Sequence, residues 1–148
     1  MSHAAASKTT APPPEWPQFL ASLRRARARL SEDPSARLTL AQYLLVVPLL
    51  DAPGRSVGEL AAHAGVASPT ATRMLDGLER EGHVRRVPAE HDRRSVELRL
   101  TPSGRRVAAA ERARYQAKGA ELFAALEPDE REQAARLLGR LAELMEEL

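Results

Sequence analysis

The chain has 148 residues, no cysteine, 3% aromatic and 43% hydrophobic side chains, enough length for a single domain-sized core with a composition that favours packed helices. The missing cysteine excludes disulfides and thiol redox sensing by this chain, and the absence of a long apolar run or a signal-peptide pattern predicts a soluble, cytoplasmic protein outside any membrane. Formal net charge is +2, but it is unevenly spread: +2 over residues 1–54, +3 over 55–106 and −3 over 107–148, so positive charge sits away from the C-terminal third.

Residues 1–14 are small, polar and proline-ended and are expected to form a tail with nothing to bury. From Trp16 or Pro17 to about Ser31 a helix is predicted, with Phe19, Leu20, Leu23, Ala26 and Leu30 on one face. Arg24, Arg25, Arg27 and Arg29 crowd the rest, which is the pattern of a solvated face, with contact to phosphate as the alternative. SEDPSAR is a connector. Thr39 then caps a second, very apolar helix reaching roughly Leu50, where Pro48 removes an N–H and clashes with the carbonyl of Leu44. A kink or an early end is expected there.

The stretch from Ser56 to Arg106 carries the clearest signal. Ser56 and Glu59 form a capping box for a short helix with Val57, Leu60 and Ala61 inward, and Gly65 permits a tight turn. A further helix starts near Ser68, with Pro69 in its first turn and Ala71, Met74, Leu75 and Leu78 as its buried stripe. Ser68, Thr70, Thr72, Arg73 and Asp76 are left outside, and Gly82 ends it. Two strand-like runs follow, HVRRV and SVELRL, joined by PAEHDRR; Val96, Leu98 and Leu100 alternate with Glu97 and Arg99 as in a half-buried strand. Helix, turn, helix and basic hairpin together make a winged helix-turn-helix, whose second helix fits the DNA major groove.

Thr101 and Pro102 start a long helix to about Ala125, with Val107, Ala110, Ala113, Ala117 and Phe123 as its apolar positions. Glu127 and Pro128 start the last one, where Ala134, Leu138, Leu141, Met145 and Leu148 form a seam at alternating four- and three-residue steps. So regular an apolar seam implies internal packing or a two-fold partner, and a terminal helix favours the partner. The fold class is therefore mainly α with a small β-wing. A DNA-binding region over 37–101 is flanked by dimerisation helices in 15–36 and 102–148.

Of 22 basic residues only Lys8 and Lys118 are lysine. A GC-rich genome accounts for the abundance of arginine, but not for its placement. Thr70, Thr72 and Arg73 are the main candidates for base and phosphate contacts, since arginine grips a guanine edge bidentately and threonine offers a hydroxyl and a methyl. Ser68 and Pro69 open the same helix. Asp92, Arg93 and Arg94 sit at the hairpin, where arginine can enter a narrow minor groove. His3, His63, His83 and His91 do not cluster with carboxylates at ligand spacing. No metal, cofactor, glycine-rich phosphate loop or catalytic set is read from the chain, and an enzyme is not expected.

LTLAQY, SVGELAAHAGV, SPTATRMLDGLEREGHVRR and HDRRSVELRLTPSGR resemble the MarR family of bacterial transcription regulators, closely over roughly residues 37–106. The resemblance implies a homodimer with interlocked first and last helices, a pseudo-palindromic double-stranded DNA operator, repression, and release by a small anionic aromatic effector. It also makes Arg94 the groove arginine and Asp92 the carboxylate bracing the wing, with Arg93 at a variable position. The chain departs from the family pattern at Ala67, where a cap serine is usual, so that Ser68 is expected to take the cap role; at Gly77 inside the helix; and at His83, which reads as an exposed strand start rather than the alternative, a polar group near a ligand. An effector pocket between the dimer helices and the DNA-binding lobe would draw on Trp16, Phe19, Arg24, Tyr43 and Tyr115. A winged helix that meets an acidic protein partner, and a constitutive DNA-binding regulator without effector, are the alternatives.

Overall fold

In the computed structural model, residues 11–92 and 94–147 are described. Seven helices and one hairpin follow in order: α1 (Trp16–Ser31), α2 (Leu40–Val46), α3 (Pro48–Asp51), α4 (Val57–Ala64), α5 (Ser68–Arg80), β1 (Val84–Pro88), β2 (Val96–Leu100), α6 (Pro102–Ala124) and α7 (Pro128–Glu146). Most of the expected tail, and with it His3 and Lys8, lies outside the described residues, as do Arg93 and Leu148.

Local chemistry sets the helix starts. Thr39 and Gln42 form a reciprocal capping box for α2, and Ser56 and Glu59 do so for α4. The long second helix is cut at Pro48, which carries no N–H for the carbonyl of Leu44; α2 stops at Val46 and α3 begins at the proline. Gly65 turns the chain from α4 toward α5 at φ 64°, a conformation that favours glycine. One expectation fails here: the cap position of α5 is Ala67, with no side-chain cap, and Ser68 is already the first helical residue. Pro69 in the first turn supplies the start in its place.

β1 and β2 pair antiparallel with Val84 opposite Leu100 and Pro88 opposite Val96, and Arg55 adds a bridge to Leu98. Among the described residues, the buried hydrophobic side chains all lie within 38–108. Leu45, Leu49, Leu60, Leu75, Leu78 and Leu98 are fully buried, joined by Val46, Ala71, Val84 and Ala108. The expected alternation in β2 holds only at its centre: Leu98 is buried, whereas Val96 is 51% exposed because the hairpin has by then run past the core.

The long helix α6 starts where predicted. Thr101 accepts the Gly104 N–H at 3.0 Å and donates its hydroxyl to the Gly82 carbonyl at 2.6 Å, fastening the end of α5 to the start of α6. Its inward face is not the expected one. Gly104, Ala108 and Glu111 are buried, Val107 is half-buried, and Ala110, Ala113 and Ala117 face outward. Beyond the lobe, α7 buries no residue among those described, and Phe19, Leu23, Leu122, Leu138, Leu141 and Met145 are exposed on α1, α6 and α7. Together these side chains leave an uncovered apolar face on the single chain.

Candidate nucleic-acid interface and adjoining hollows

Ala71, Leu75 and Leu78 are fully buried on one side of α5, which fixes the direction of the other side. Ser68, Pro69, Thr72 and Arg73 stand exposed, and Thr70 is half-buried. The Thr72 hydroxyl donates to the Ser68 carbonyl at 3.0 Å, so what it offers outward is a methyl and an acceptor lone pair. Among the described residues no side chain pairs with Arg73. Its guanidinium, exposed on α5, is held by no other described side chain.

The wing is shaped by Asp92. One carboxylate oxygen accepts the Arg94 backbone N–H at 2.9 Å, the other accepts the Ser95 hydroxyl at 2.8 Å, and the Ser95 N–H returns to the Asp92 carbonyl at 2.9 Å. Bonding first from Arg94 and then from Ser95 holds the Asp92 carboxyl below its ordinary range. The turn thereby presents Arg94, whose side chain is exposed and pairs with no other among the described residues. Farther down the hairpin, Arg99 is paired with Glu90 at 3.1 Å and Glu97 at 3.6 Å and is not free for the same use.

Sequence reading gave Arg86 no role. On β1 it reaches back to α5: Nη2 lies 2.6 Å from Asp76 Oδ1, Nη1 bonds Glu79 Oε2, and the backbone N–H donates to Glu79 Oε1 at 3.3 Å. Spacing within one helix or strand carries no hint of it, since the partners are seven and ten positions apart. His83 is half-buried at the strand start, its Nδ1 shielded without a hydrogen-bond partner and its Nε2 3.9 Å from Glu81.

The five candidates for an effector pocket do not share one. Trp16 and Phe19, with centroids 5.9 Å apart, line an apolar hollow of about 590 Å³ with Leu122, Leu138 and Leu141. Tyr43 and Tyr115 stack at 4.6 Å elsewhere. Tyr115 borders a second hollow of about 620 Å³ between α1 and α6, with Leu23, Leu30, Arg29, Asp33 and Lys118 around it. The Tyr115 hydroxyl is buried without a hydrogen-bond partner, burial pushes its pKa up, and the Arg114 guanidinium lies 4.5 Å over its ring. Arg24 is exposed and borders neither hollow; Arg29, five positions on and on a different side of α1, borders the second hollow instead. Among the described residues no group of three His, Cys, Asp or Glu side chains could hold a metal ion, and no helix is long and apolar enough to cross a membrane.

Residues 38–96 match the model of the MarR family. The chain is 33% identical to the HTH-type transcriptional repressor Rv2887 of Mycobacterium tuberculosis over 70% of its own length and 75% of that protein's. It is 46% identical to the transcriptional activatory protein BadR of Rhodopseudomonas palustris, over 36% of its own length and 31% of BadR's. The chain thus spans about a third of the length of two of its curated relatives, 31% and 35%. Among solved structures, the transcriptional repressor CouR bound to a 23-mer DNA duplex superposes with a TM-score of 0.66 at 31% identity, over 90% of this chain and 99% of that one.

Proposed function

The chain belongs to the MarR family, and from that premise we propose that it is a sequence-specific DNA-binding transcriptional regulator, a homodimeric repressor of a pseudo-palindromic operator. The observation that carries this reading is one geometry. An α5 whose opposite face is locked in the core leaves Arg73 outward and unpaired among the described residues, beside a wing whose Asp92 turn presents Arg94. α5 then enters the major groove, with Ser68, Pro69, Thr70, Thr72 and Arg73 toward base edges and phosphates, and the Asp92–Arg94 turn follows the adjacent minor groove. The bare apolar face of α1, α6 and α7 is closed by a second copy, which sets two α5 helices about 34 Å apart, one DNA turn.

Release by a small aromatic acid completes the proposal. The hollow between α1 and α6 offers Leu23 and Leu30 to a ring and the Arg29 guanidinium to a carboxylate, beside the stacked Tyr115. Arg29 pairs with no other described side chain. The test is selection of duplexes from a randomised pool by the purified chain, followed by titration of salt and of benzoate-type acids. Enrichment of an inverted repeat, with affinity falling steeply as salt rises, is expected. No enrichment, with retention of an acidic protein instead, would transfer the wing to a protein-interaction role. Enrichment without release by any acid would make the regulator constitutive.

A further inference from the structure

Asp76 and Glu79 put two carboxylates on the helix that the reading above sends into the major groove, where phosphates repel them. Side-chain exposures of 49% and 38% leave both open to that repulsion. Arg86 meets both at once. Its guanidinium spans Asp76 and Glu79, and its own N–H is accepted by Glu79. That N–H lies on the outer edge of the hairpin. Opposite it, Leu98 turns its N–H and carbonyl away from β1, toward Arg55 and Gly54, so Arg86 and Leu98 form a non-bonded pair and Arg86 points its N–H back at α5. A free strand edge is thus closed by a residue of the recognition helix. Helix and wing are joined further by the short Glu81–Gly82–His83 turn, by Thr101 at the end of β2, whose hydroxyl and N–H donate to the Gly82 and His83 carbonyls, and by the buried Leu78 and Val84.

We propose that Arg86 is a positioning residue for DNA recognition: it fixes the angle between α5 and the wing and masks the two carboxylates that α5 would otherwise carry into the groove. The proposal rests on the DNA-binding reading. A rigid angle lets Arg73 and Arg94 reach their grooves together. A loose one leaves backbone attraction in place but blurs base selection.

Duplexes enriched by the wild-type full chain, set against a scrambled duplex of equal composition, give a specificity ratio for each variant. Arg86→Gln is expected to weaken cognate binding about tenfold or more, on the scale of one lost direct contact, and scrambled binding by less, so that the ratio falls. Adding Asp76→Asn and Glu79→Gln to it removes the unmasked charge; scrambled binding should recover while the ratio stays low. Asp76→Ala keeps the Glu79 arm, should lower the ratio severalfold, and decides the matter if Arg86→Gln does not fold. Without DNA, the Arg86 amide should exchange faster in Glu79→Ala than in the wild type. An unchanged ratio in folded variants, or a ratio fully restored in the triple variant, overturns the proposal while leaving DNA binding intact. A wild-type chain that enriches no duplex overturns both.

Discussion

The carboxylate of Glu111, on α6, accepts the backbone N–H of Arg37 at 2.6 Å across 74 positions of sequence, and that of Leu38 at 3.4 Å. These donors lie just ahead of α2, where the chain enters the DNA-binding lobe. The other carboxylate oxygen takes Arg114 Nε at 2.8 Å, and Arg114 reaches Asp33 of the connector at 3.2 Å. Glu111, only 3% exposed, therefore ties the lobe to the long helix that leaves it.

Removing that carboxylate strands two backbone donors and leaves the mostly buried Arg114 guanidinium to Asp33. Glu111→Ala is expected to cost about 3 kcal/mol, in the range for breaking a buried ion pair. Glu111→Gln keeps an acceptor for the N–H groups and should cost about 1 kcal/mol. Urea unfolding measures both. Equal midpoints for the two variants would show that the backbone bonds contribute nothing.

Gly104 sits against the carbonyl of His83. A Cβ there would lie 1.8 Å from that oxygen and 2.6 Å from its carbon, and backbone cannot swing aside as a side-chain tip does. Gly104→Ala should lower stability by about 3 kcal/mol, at the upper end for forced overpacking. Gly139 in α7 has nothing within 4 Å, and Gly139→Ala should raise stability by about 1 kcal/mol through helix propensity. Thermal unfolding of the pair separates steric need from mere tolerance; two substitutions of the same sign would refute the assignment at Gly104.

What could be read in advance was whatever repeats or punctuates. Ser56 with Glu59, the break at Pro48, the Ala71–Leu75–Leu78 stripe and the Thr101–Pro102 start are local patterns, and each appears where the spacing put it. Glu111 was invisible for the opposite reason. Glutamate on a helix reads as solvent-facing, and although Arg114 is its i+3 neighbour, only folding brings the Arg37 and Leu38 N–H groups to it; the apolar positions of α6 are Val107, Ala110, Ala113, Ala117 and Phe123, of which the three alanines face outward. The link from Arg86 to Asp76 and Glu79 was missed because it joins a strand to a helix across a turn. At the candidate site, the outward placement of Arg73 is legible from its position on α5, whereas the bracing by Asp92 is what the family resemblance implies and not something its spacing shows. The scatter of Trp16, Phe19, Arg24, Tyr43 and Tyr115 over separate places is not legible either, since helix packing decides which faces meet.

Acid should loosen the wing. The folded pKa of Asp92 lies below its ordinary value of 3.8, so the bonds from Arg94 and Ser95 contribute stability that is present above that value and fades as pH falls through the lower folded one. Asp33, Asp51 and Glu59 are shifted the same way, through Ser35, Arg112 and Ser56 respectively, and add to the same slope. Stability should be flat near neutrality and decline below about pH 4. In Asp92→Asn the decline should be shallower, because one titrating contributor is gone. A decline as steep as in the wild type would mean that Asp92 is not stabilising the turn.

Leu138 and Leu141 on α7 are 49% and 45% exposed in the single chain, and the proposed dimer covers them. Replacing both by aspartate should give a monomer in sedimentation with helical content retained, because neither belongs to the core of the lobe. Loss of one half-site per particle should then remove specific binding almost completely. A double variant that still sediments as a dimer would put the interface elsewhere.

The last expectation divides the labour between Arg73 and Arg94. Arg73 leaves α5 on the side opposite Leu75 and Leu78, so its proposed targets are base edges in the major groove. Arg73→Ala should cost about 1–3 kcal/mol on the selected duplex and relax preference at one position per half-site. Arg94 stands on the wing turn that Asp92 holds, within reach of the minor groove and flanking phosphates only. Arg94→Ala should therefore weaken binding with any sequence effect confined to A·T-rich flanks, whose narrow grooves attract arginine. Two lost phosphate contacts per dimer would also flatten the salt dependence by about two units at most. Arg93, outside the described residues, serves as the control: Arg93→Ala should do less than Arg94→Ala in every one of these readouts. If both wing variants bind as the wild type does while the fold is intact, the wing does not touch DNA. Its arginines would then have to be explained by a protein partner.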